Sequence, residues 1–466
     1  MLPGRNSQKM SRNASKNHQL GAAHIQSALG LTAGVYLLSL AGAVAASAEP
    51  TIHPVGVTIY DTRLAQNQYV LFSGADNKTH LIDMDGNEVH RWPQRGFPSL
   101  FIDPALVGGQ TGHILLQTSQ SDKSATSELP GAPALFGDRT VGELDWAGKV
   151  VWEWGANQPG GAARQHHDLR RLPDGTTLIL YNTIHPIAGF KAKKLLDDAV
   201  VEVTRDGKIS WHWQFSDHLQ ELGFTPSELE LLRNVAEPDY LHINDATTLG
   251  PNKWFDSGDK RFAPENIILG SRNANFIVIV DRATGHIVWR IGPDYPPLDW
   301  HKQKVPRPVD QISGQHDGHL IAPGLPGAGD LLVFDNQGPA GYPQAKLDIE
   351  AGSRILEINP LTKQIVWEYR AESDGAPGWT FHSAFISDAR RLPNGNTFID
   401  EGINGRFFQV TPAGHIVWEY ISPYSGPFGA EKGIKSNWVY RAQPVPYNWA
   451  PAGTPHAEKP ISASKG

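Results

Sequence analysis

Along this chain, apolar and polar positions alternate in short segments that follow a polar turn and end on a Trp-x-aromatic pair. The copies read Gly148-Lys-Val-Val-Trp152-Glu-Trp154, Gly207-Lys-Ile-Ser-Trp211-His-Trp213, Gly285-His-Ile-Val-Trp289, Lys363-Gln-Ile-Val-Trp367-Glu-Tyr369 and Gly414-His-Ile-Val-Trp418-Glu-Tyr420, with a degenerate first copy, Gly86-Asn-Glu-Val-His90-Arg-Trp92. Such alternation marks a half-buried strand. Each copy follows another short apolar run, at 79–82, 141–144, 200–203, 276–280, 355–358 and 407–410, so each pair predicts a hairpin. A further strand lies upstream in most copies, twice behind a turn of the form Leu172-Pro-Asp-Gly175 or Leu392-Pro-Asn-Gly395.

The signature Trp residues from Trp152 to Trp418 are 59, 78, 78 and 51 residues apart, and His90 precedes Trp152 by 62. A multi-stranded unit repeating at that spacing predicts an all-β fold: a six-bladed β-propeller. The Trp residues then serve as packing between blades rather than as stacking platforms for a ligand. Thr225-Pro-Ser-Glu228, ahead of Leu229, Leu231 and Leu232, is a capping box with Pro at the first helical position, which predicts a small helical insertion. The Pro-rich stretch 293–308 reads as a long loop.

The 466 residues carry a net charge of −7 and no cysteine. That balance gives no basic surface for nucleic acid. The lack of cysteine removes disulfides, thiol catalysis and Cys-ligated metal. Arg5, Lys9, Arg12 and Lys16 precede an uncharged apolar run over 28–45, and Ala46-Ser47-Ala48 offers a small-x-small cleavage site. We therefore expect a signal peptide over 1–48, the propeller over 49–450, a disordered tail over 451–466, and an exported protein, periplasmic or secreted. A membrane role arises only if the leader stays uncleaved.

Innermost propeller strands line a central channel, and a second repeat marks the approach to them: His167-Asp168, Asn244-Asp245, His316-Asp317 and Ser387-Asp388, with Ile102-Asp103 in the second blade. The recurring Asp reads as a turn or capping carboxylate. The residue before it varies, as a channel-facing position would. His242 lies two before Asn244, on the same strand face, and His166, His319 and His382 sit near equivalent positions. Arg272 follows the strand that begins at Asn266. Clustered His and Arg suit a tetrahedral oxyanion: Arg supplies a charged fork, and His a nucleophile, acid or base near neutral pH. A three-His metal site is the competing chemistry, disfavoured by the structural look of the carboxylates and by Arg272, which would repel a cation.

At these residues the sequence resembles the bacterial arylsulfate sulfotransferase family. The likeness runs through Gly56-Val-Thr-Ile-Tyr-Asp61, Leu81-Ile-Asp-Met-Asp-Gly86, Ser271-Arg-Asn with Val280-Asp-Arg-Ala-Thr-Gly285, Gln315-His-Asp317, Phe334-Asp-Asn336, and Arg391-Leu-Pro-Asn-Gly-Asn-Thr397 with Gly405-Arg-Phe-Phe408. The resemblance implies sulfuryl transfer from a phenolic sulfate ester to a phenol through a sulfohistidine, with no cofactor, no metal and no nucleotide donor. It places the family's catalytic set on His167, His242, Arg272 and His316, with His316 as nucleophile, and matches Asn244 to an accompanying Asn. Asn244, His382 and His166 are the expected substrate contacts. His166 and His319 remain alternatives to His167 and His316. The rival reading is a non-catalytic propeller that binds a ligand or partner, and fold alone does not separate the two. A quinone-dependent dehydrogenase is a third class; it needs a carboxylate constellation for metal that the sequence does not offer.

Overall fold

The computed structural model describes residues 51–119, 138–158, 162–298, 304–347, 349–427 and 433–461. The expected leader over 1–48 lies outside them. Among the described residues no helix is long and apolar enough to cross a membrane.

Six antiparallel sheets form the blades of a β-propeller. Blade 2 is built from Leu100–Phe101, Ile114–Ser119, Thr140–Leu144 and Val150–Trp154, and blade 3 from Gln165–Arg171, Thr177–His185, Leu195–Val203 and Ile209–Gln214. Blade 4 runs through Ile243–Thr248, Ile267–Ser271, Phe276–Val280 and Ile287–Ile291. Blade 5 comprises His316–Leu320, Leu331–Asp335, Arg354–Asn359 and Gln364–Tyr369, with Arg307–Pro308 as an added outer strand. Blade 6 comprises Asp388–Arg391, Thr397–Glu401, Arg406–Val410 and Ile416–Ile421, with Gly56–Tyr60 outside. Blade 1 closes the ring from both ends of the chain: Tyr69–Ser73, Thr79–Ile82 and Glu88–Trp92 take their innermost strand, Ala442–Val445, from the C-terminal region.

The middle strands are apolar on both faces because each blade is covered by two neighbours; Ile267–Ser271 and Phe276–Val280 are buried at every position. The signature aromatic of each blade has one further job. Its ring N–H donates to a carbonyl in the outer hairpin turn of the next blade: His90 to Trp146, Trp152 to Arg205, Trp211 to Arg282, Trp289 to Pro360, Trp367 to Pro412 and Trp418 to Met84, all at 2.8–3.1 Å. The last bond crosses the seam from blade 6 to blade 1. The six repeat positions are thus structurally equivalent, the degenerate His90 included. Trp418→Phe, which keeps an aromatic ring but loses part of the buried volume and strands the buried Met84 carbonyl, is expected to cost at least about 1–3 kcal/mol of unfolding free energy. Urea titration measures it, and an unchanged midpoint would mean the seam does not depend on that bond.

The helix Pro226–Arg233 forms as expected, with Thr225 accepting from the Glu228 amide and Glu228 answering to the Thr225 amide. It buries Leu229 and Leu232 but leaves Leu231 exposed. Asp103 is a capping carboxylate, as expected: it follows the short strand Leu100–Phe101 and caps the helical turn Pro104–Val107 by accepting from the Ala105 amide. One expectation needs correction. The segment 451–461 of the expected disordered tail packs on the propeller, and Ile461 exchanges two backbone hydrogen bonds with Tyr60. Its polar chain docks because carboxylate acceptors await it: the amides of Ala457 and Lys459 donate to the buried Asp83 and to Asp85 in a blade 1 turn, and His456 stacks on Tyr447 at 4.1 Å.

Candidate active site

Three inner strands deliver the site residues, and each is irregular there. The pairing register shifts between Ile179 and Tyr181 opposite the His167 strand, between Ile243 and Asp245, and between His316 and His319. Bulges re-aim side chains that a regular strand would send elsewhere. The backbone is also strained: His167, His242, Asp317, Ile386 and Ser387 have φ of 59°, 52°, 58°, 58° and 93°. Such conformations cost of order 1–3 kcal/mol each for residues other than Gly and persist only where packing imposes them.

The result is a cluster of imidazoles at one end of the channel. His167 lies 4.6 Å from His242 between ring centroids, 5.3 Å from Tyr440 and 4.8 Å from Phe97. His316 lies 6.4 Å from the same Tyr440 ring. Asp239 accepts from His242 Nδ1 at 2.5 Å. Arg272 is held beside His242 by its backbone amide, which donates to the His242 carbonyl, while its guanidinium donates to Asn273. Burial holds His167 well below the usual imidazole range, and His242, His166, His316 and Arg441 add to the effect. His316 is pushed the same way, first by burial, then by Arg272, His242 and Arg441 against the opposing pull of Asn336. His167, His242, Arg272 and His316 therefore converge, although the first and the last are 149 positions apart in the chain.

His316 has a fixed tautomer. Asn336 donates through Nδ2 to the carbonyls of Ser383 and Ile386, so its Oδ1 is the atom that faces His316 Nδ1 at 2.8 Å. The Gly314 carbonyl faces the same nitrogen at 3.0 Å. Nδ1 must carry the proton, which leaves a lone pair on Nε2. That lone pair accepts the Ile386 backbone N–H at 3.1 Å.

The other expected residues separate. Asn244 is fully buried and donates through Nδ2 to the Gln315 carbonyl at 2.7 Å, so it fixes the backbone that carries His316. His166 is buried between Asp198, 3.1 Å from its Nε2, and His167, whose Nδ1 lies 2.8 Å from its own. His382 stands apart: its amide donates to Glu401, and that carboxylate is the charge that bears on its ring.

His319 belongs to the ion-pair layer beneath the cluster, beside Asp317, Arg390 and Arg170. There Asp168 accepts from the Ala246 amide of the next blade at 3.2 Å, and Asp317 pairs with Arg390 of the next blade at 2.5 Å. Asp168 and Asp317 are thus blade-to-blade ties. Blade 1 puts Arg441 at that position, 3.0 Å from Asp168 and 3.7 Å from Asp317. Burial, with Arg390 acting the same way, lowers His319 to about 3. The unfolded chain therefore binds a proton between about pH 6.5 and 3 that the folded chain refuses, and this part of the stability is present above 6.5 and lost on acidification. Relative to His319→Gln, wild-type protein is expected to lose up to about 1.4 kcal/mol more per pH unit over that window. Equal slopes in acid-dependent urea titrations would contradict it.

Tyr440, Arg441, Asp198, Asp239 and Asn336 were not among the expected site residues. Tyr440-Arg441 does stand to Ala442 as His167-Asp168 stands to Leu169, a repeat signal hidden because no aromatic-pair hairpin follows it in sequence. A surface cavity of about 310 Å³ at the outer edge of blades 2 and 3 is lined by residues such as Trp154 and Arg205 and shares none with the cluster. The chemistry of the side chains, not concavity, locates the site.

Among solved structures the chain is similar to a Bacteroides caccae protein of unknown function, with 14% identity, 82% of this chain and 99% of that chain covered and a TM-score of 0.45. It is also similar to the β-propeller domain of Cps50 (Swd1) from Myceliophteria thermophila (11%, 81% and 90%, 0.37) and to Kuenenia stuttgartiensis hydrazine synthase (12%, 72% and 70%, 0.36). Likeness at that level carries no argument about function. Among curated proteins none matches the sequence. The model of the arylsulfotransferase (ASST) family matches residues 102–422, from blade 2 to the last strand of blade 6. That span holds every histidine of the cluster together with Arg272, and the chain belongs to this family of sulfotransferase-type enzymes.

Proposed function

We propose that the protein moves a sulfuryl group from a phenolic sulfate ester to a phenol, through a sulfohistidine on His316 and without a nucleotide donor. The observation that carries the reading is the fixed tautomer of His316 beside Arg272 and His242. A neutral imidazole with its lone pair on Nε2 is a nucleophile at neutral pH. Nε2 attacks sulfur, the N–S bond forms, and the S–O bond to the aryl group breaks with its electrons on the phenolate oxygen. The acceptor oxygen then attacks sulfur and the N–S bond returns its electrons to Nε2. Arg272 and His242 stabilise the sulfuryl oxygens, where fixed charge acts without reorganisation. Asn244 positions His316 rather than touching substrate. Export, implied by the leader, belongs to the same proposal.

One observation favours the rival, a ligand-binding propeller: the Ile386 N–H occupies the Nε2 lone pair. Attack requires that amide, set in a strained Ile386-Ser387 turn, to release the nitrogen. Incubation with 4-nitrophenyl sulfate and phenol decides. Nitrophenol release that depends on phenol is expected. Protein quenched after exposure to donor alone should carry one sulfuryl group on the peptide containing His316. Release at the same rate without phenol, or no release, would reject transfer.

A further inference from the structure

Two buried side chains behind His167 have no part in the steps above. Asp198, from the third strand of blade 3, and His166 are each 2% exposed. They form a line: Asp198 Oδ1 to His166 Nε2 at 3.1 Å, then His166 Nδ1 to His167 Nδ1 at 2.8 Å. The second oxygen of Asp198 accepts the Ile243 amide at 2.9 Å, which locks the carboxyl in place. A contact between two ring nitrogens holds one proton, so one imidazole donates and the other accepts. A ring that accepts at one nitrogen and donates at the other passes a proton through without holding a net charge. That matters here, because burial makes an imidazolium costly.

We propose that Asp198, His166 and His167 form a proton relay that protonates the phenolate leaving the sulfuryl group and recovers the proton from the acceptor phenol. The inference rests on the transfer reading above. At the start, protons sit on Asp198 Oδ1, His166 Nδ1 and His167 Nε2. As the S–O bond breaks, the Nε2 proton of His167 passes to the phenolate oxygen. The Nδ1 proton of His166 moves to His167 Nδ1, and the Asp198 proton moves to His166 Nε2, leaving a carboxylate. The acceptor phenol gives its proton to His167 Nε2 as its oxygen attacks sulfur, and the other two protons shift back. No proton is gained or lost over the cycle. Asp198 suits the reservoir: burial raises it, and the nearby Asp239 opposes its ionisation, against the pull of His166. His166 and Asp198 are positioning and relay residues; only His167 meets substrate.

The test compares donors whose leaving phenols differ in acidity. A good leaving group needs little protonation, whereas a poor one needs it fully. In Asp198→Asn and His166→Gln, single-turnover transfer from 4-nitrophenyl sulfate is expected to fall less than about tenfold, while transfer from phenyl sulfate falls on the order of 10² or more. An equal loss on both donors, or none, overturns the relay and leaves the transfer reading standing. A wild-type protein inactive on both donors overturns the two together. Nitrogen-15 spectra of the wild-type protein supply a second readout independent of the variants' folding. A scalar coupling between the two Nδ1 atoms is expected, and its absence overturns the relay.

Discussion

His316→Ala is expected to abolish both the covalent intermediate and turnover, the largest effect of any single substitution in this protein. The substitution removes the only group that forms the N–S bond in the proposed reaction, so no alternative path of similar barrier remains. Replacing Arg272 with Ala removes a stabilising charge but not the nucleophile, and should leave a slow residual rate, lower by on the order of 10² to 10³. The acid limb of the wild-type profile follows from burial. His316 sits well below the ordinary imidazole range, so the ring stays neutral below about pH 6.5 and activity should persist there as long as the fold does. Steady-state rates and mass spectrometry of donor-quenched protein check all three expectations. Full activity in His316→Ala, or a sulfuryl group mapped to His167 or His382, would overturn the mechanism or its assignment of roles.

Arg441→Met is expected to produce the largest loss of stability, about 3–5 kcal/mol. Arg441 lies under the cluster at 2% exposure and joins three blades: Asp168 of blade 3 at 3.0 Å, Asp317 of blade 5 at 3.7 Å, and the Asn244 carbonyl of blade 4 at 3.2 Å. It comes from the chain segment that closes the ring, so the same guanidinium pins that closure. Its removal does not strand the two carboxylates equally. Asp317 keeps Arg390 at 2.5 Å, whereas Asp168 keeps two backbone amides and, as its charged partner among the described residues, Arg170 at 3.6 Å. The penalty should therefore concentrate on Asp168, and Asp168→Leu combined with Arg441→Met should recover part of it, since an unpaired buried charge costs more than its absence. Urea unfolding of the single and double variants measures this. A single-variant loss under about 1 kcal/mol would show that the carboxylates find other partners.

The repeat unit could be read directly because each hairpin is specified locally: alternation sets the strand, and Gly or Asx sets the turn. The signature aromatic marks the outer strand, whose ring N–H reaches the next blade in all six cases. The capping box at Thr225 was legible for the same reason, being a contact across three residues. His167, His242 and His316 stood out because repetition carries a position from one blade to the next, and Arg272 joined them through the family resemblance. Pattern ended where contacts stop being local. Asn244 and His166 look like ligand-facing residues in a strand of period two, yet bulges and left-handed backbone turn them toward Gln315 and Asp198.

By itself, then, the sequence determined the blade and the number of blades, because strand period and turn type are properties of short segments, while the ordered series of motifs pointed to the family. Only the tertiary structure decided which nitrogen of His316 holds the proton, since Asn336 and Ile386 reach that ring from 20 and 70 residues away. It alone revealed Arg441 as the hub of the channel floor and placed the segment 451–461 on the propeller. Closing a ring brings the two ends of the chain into one blade, and no local rule of spacing encodes which of their side chains then meet.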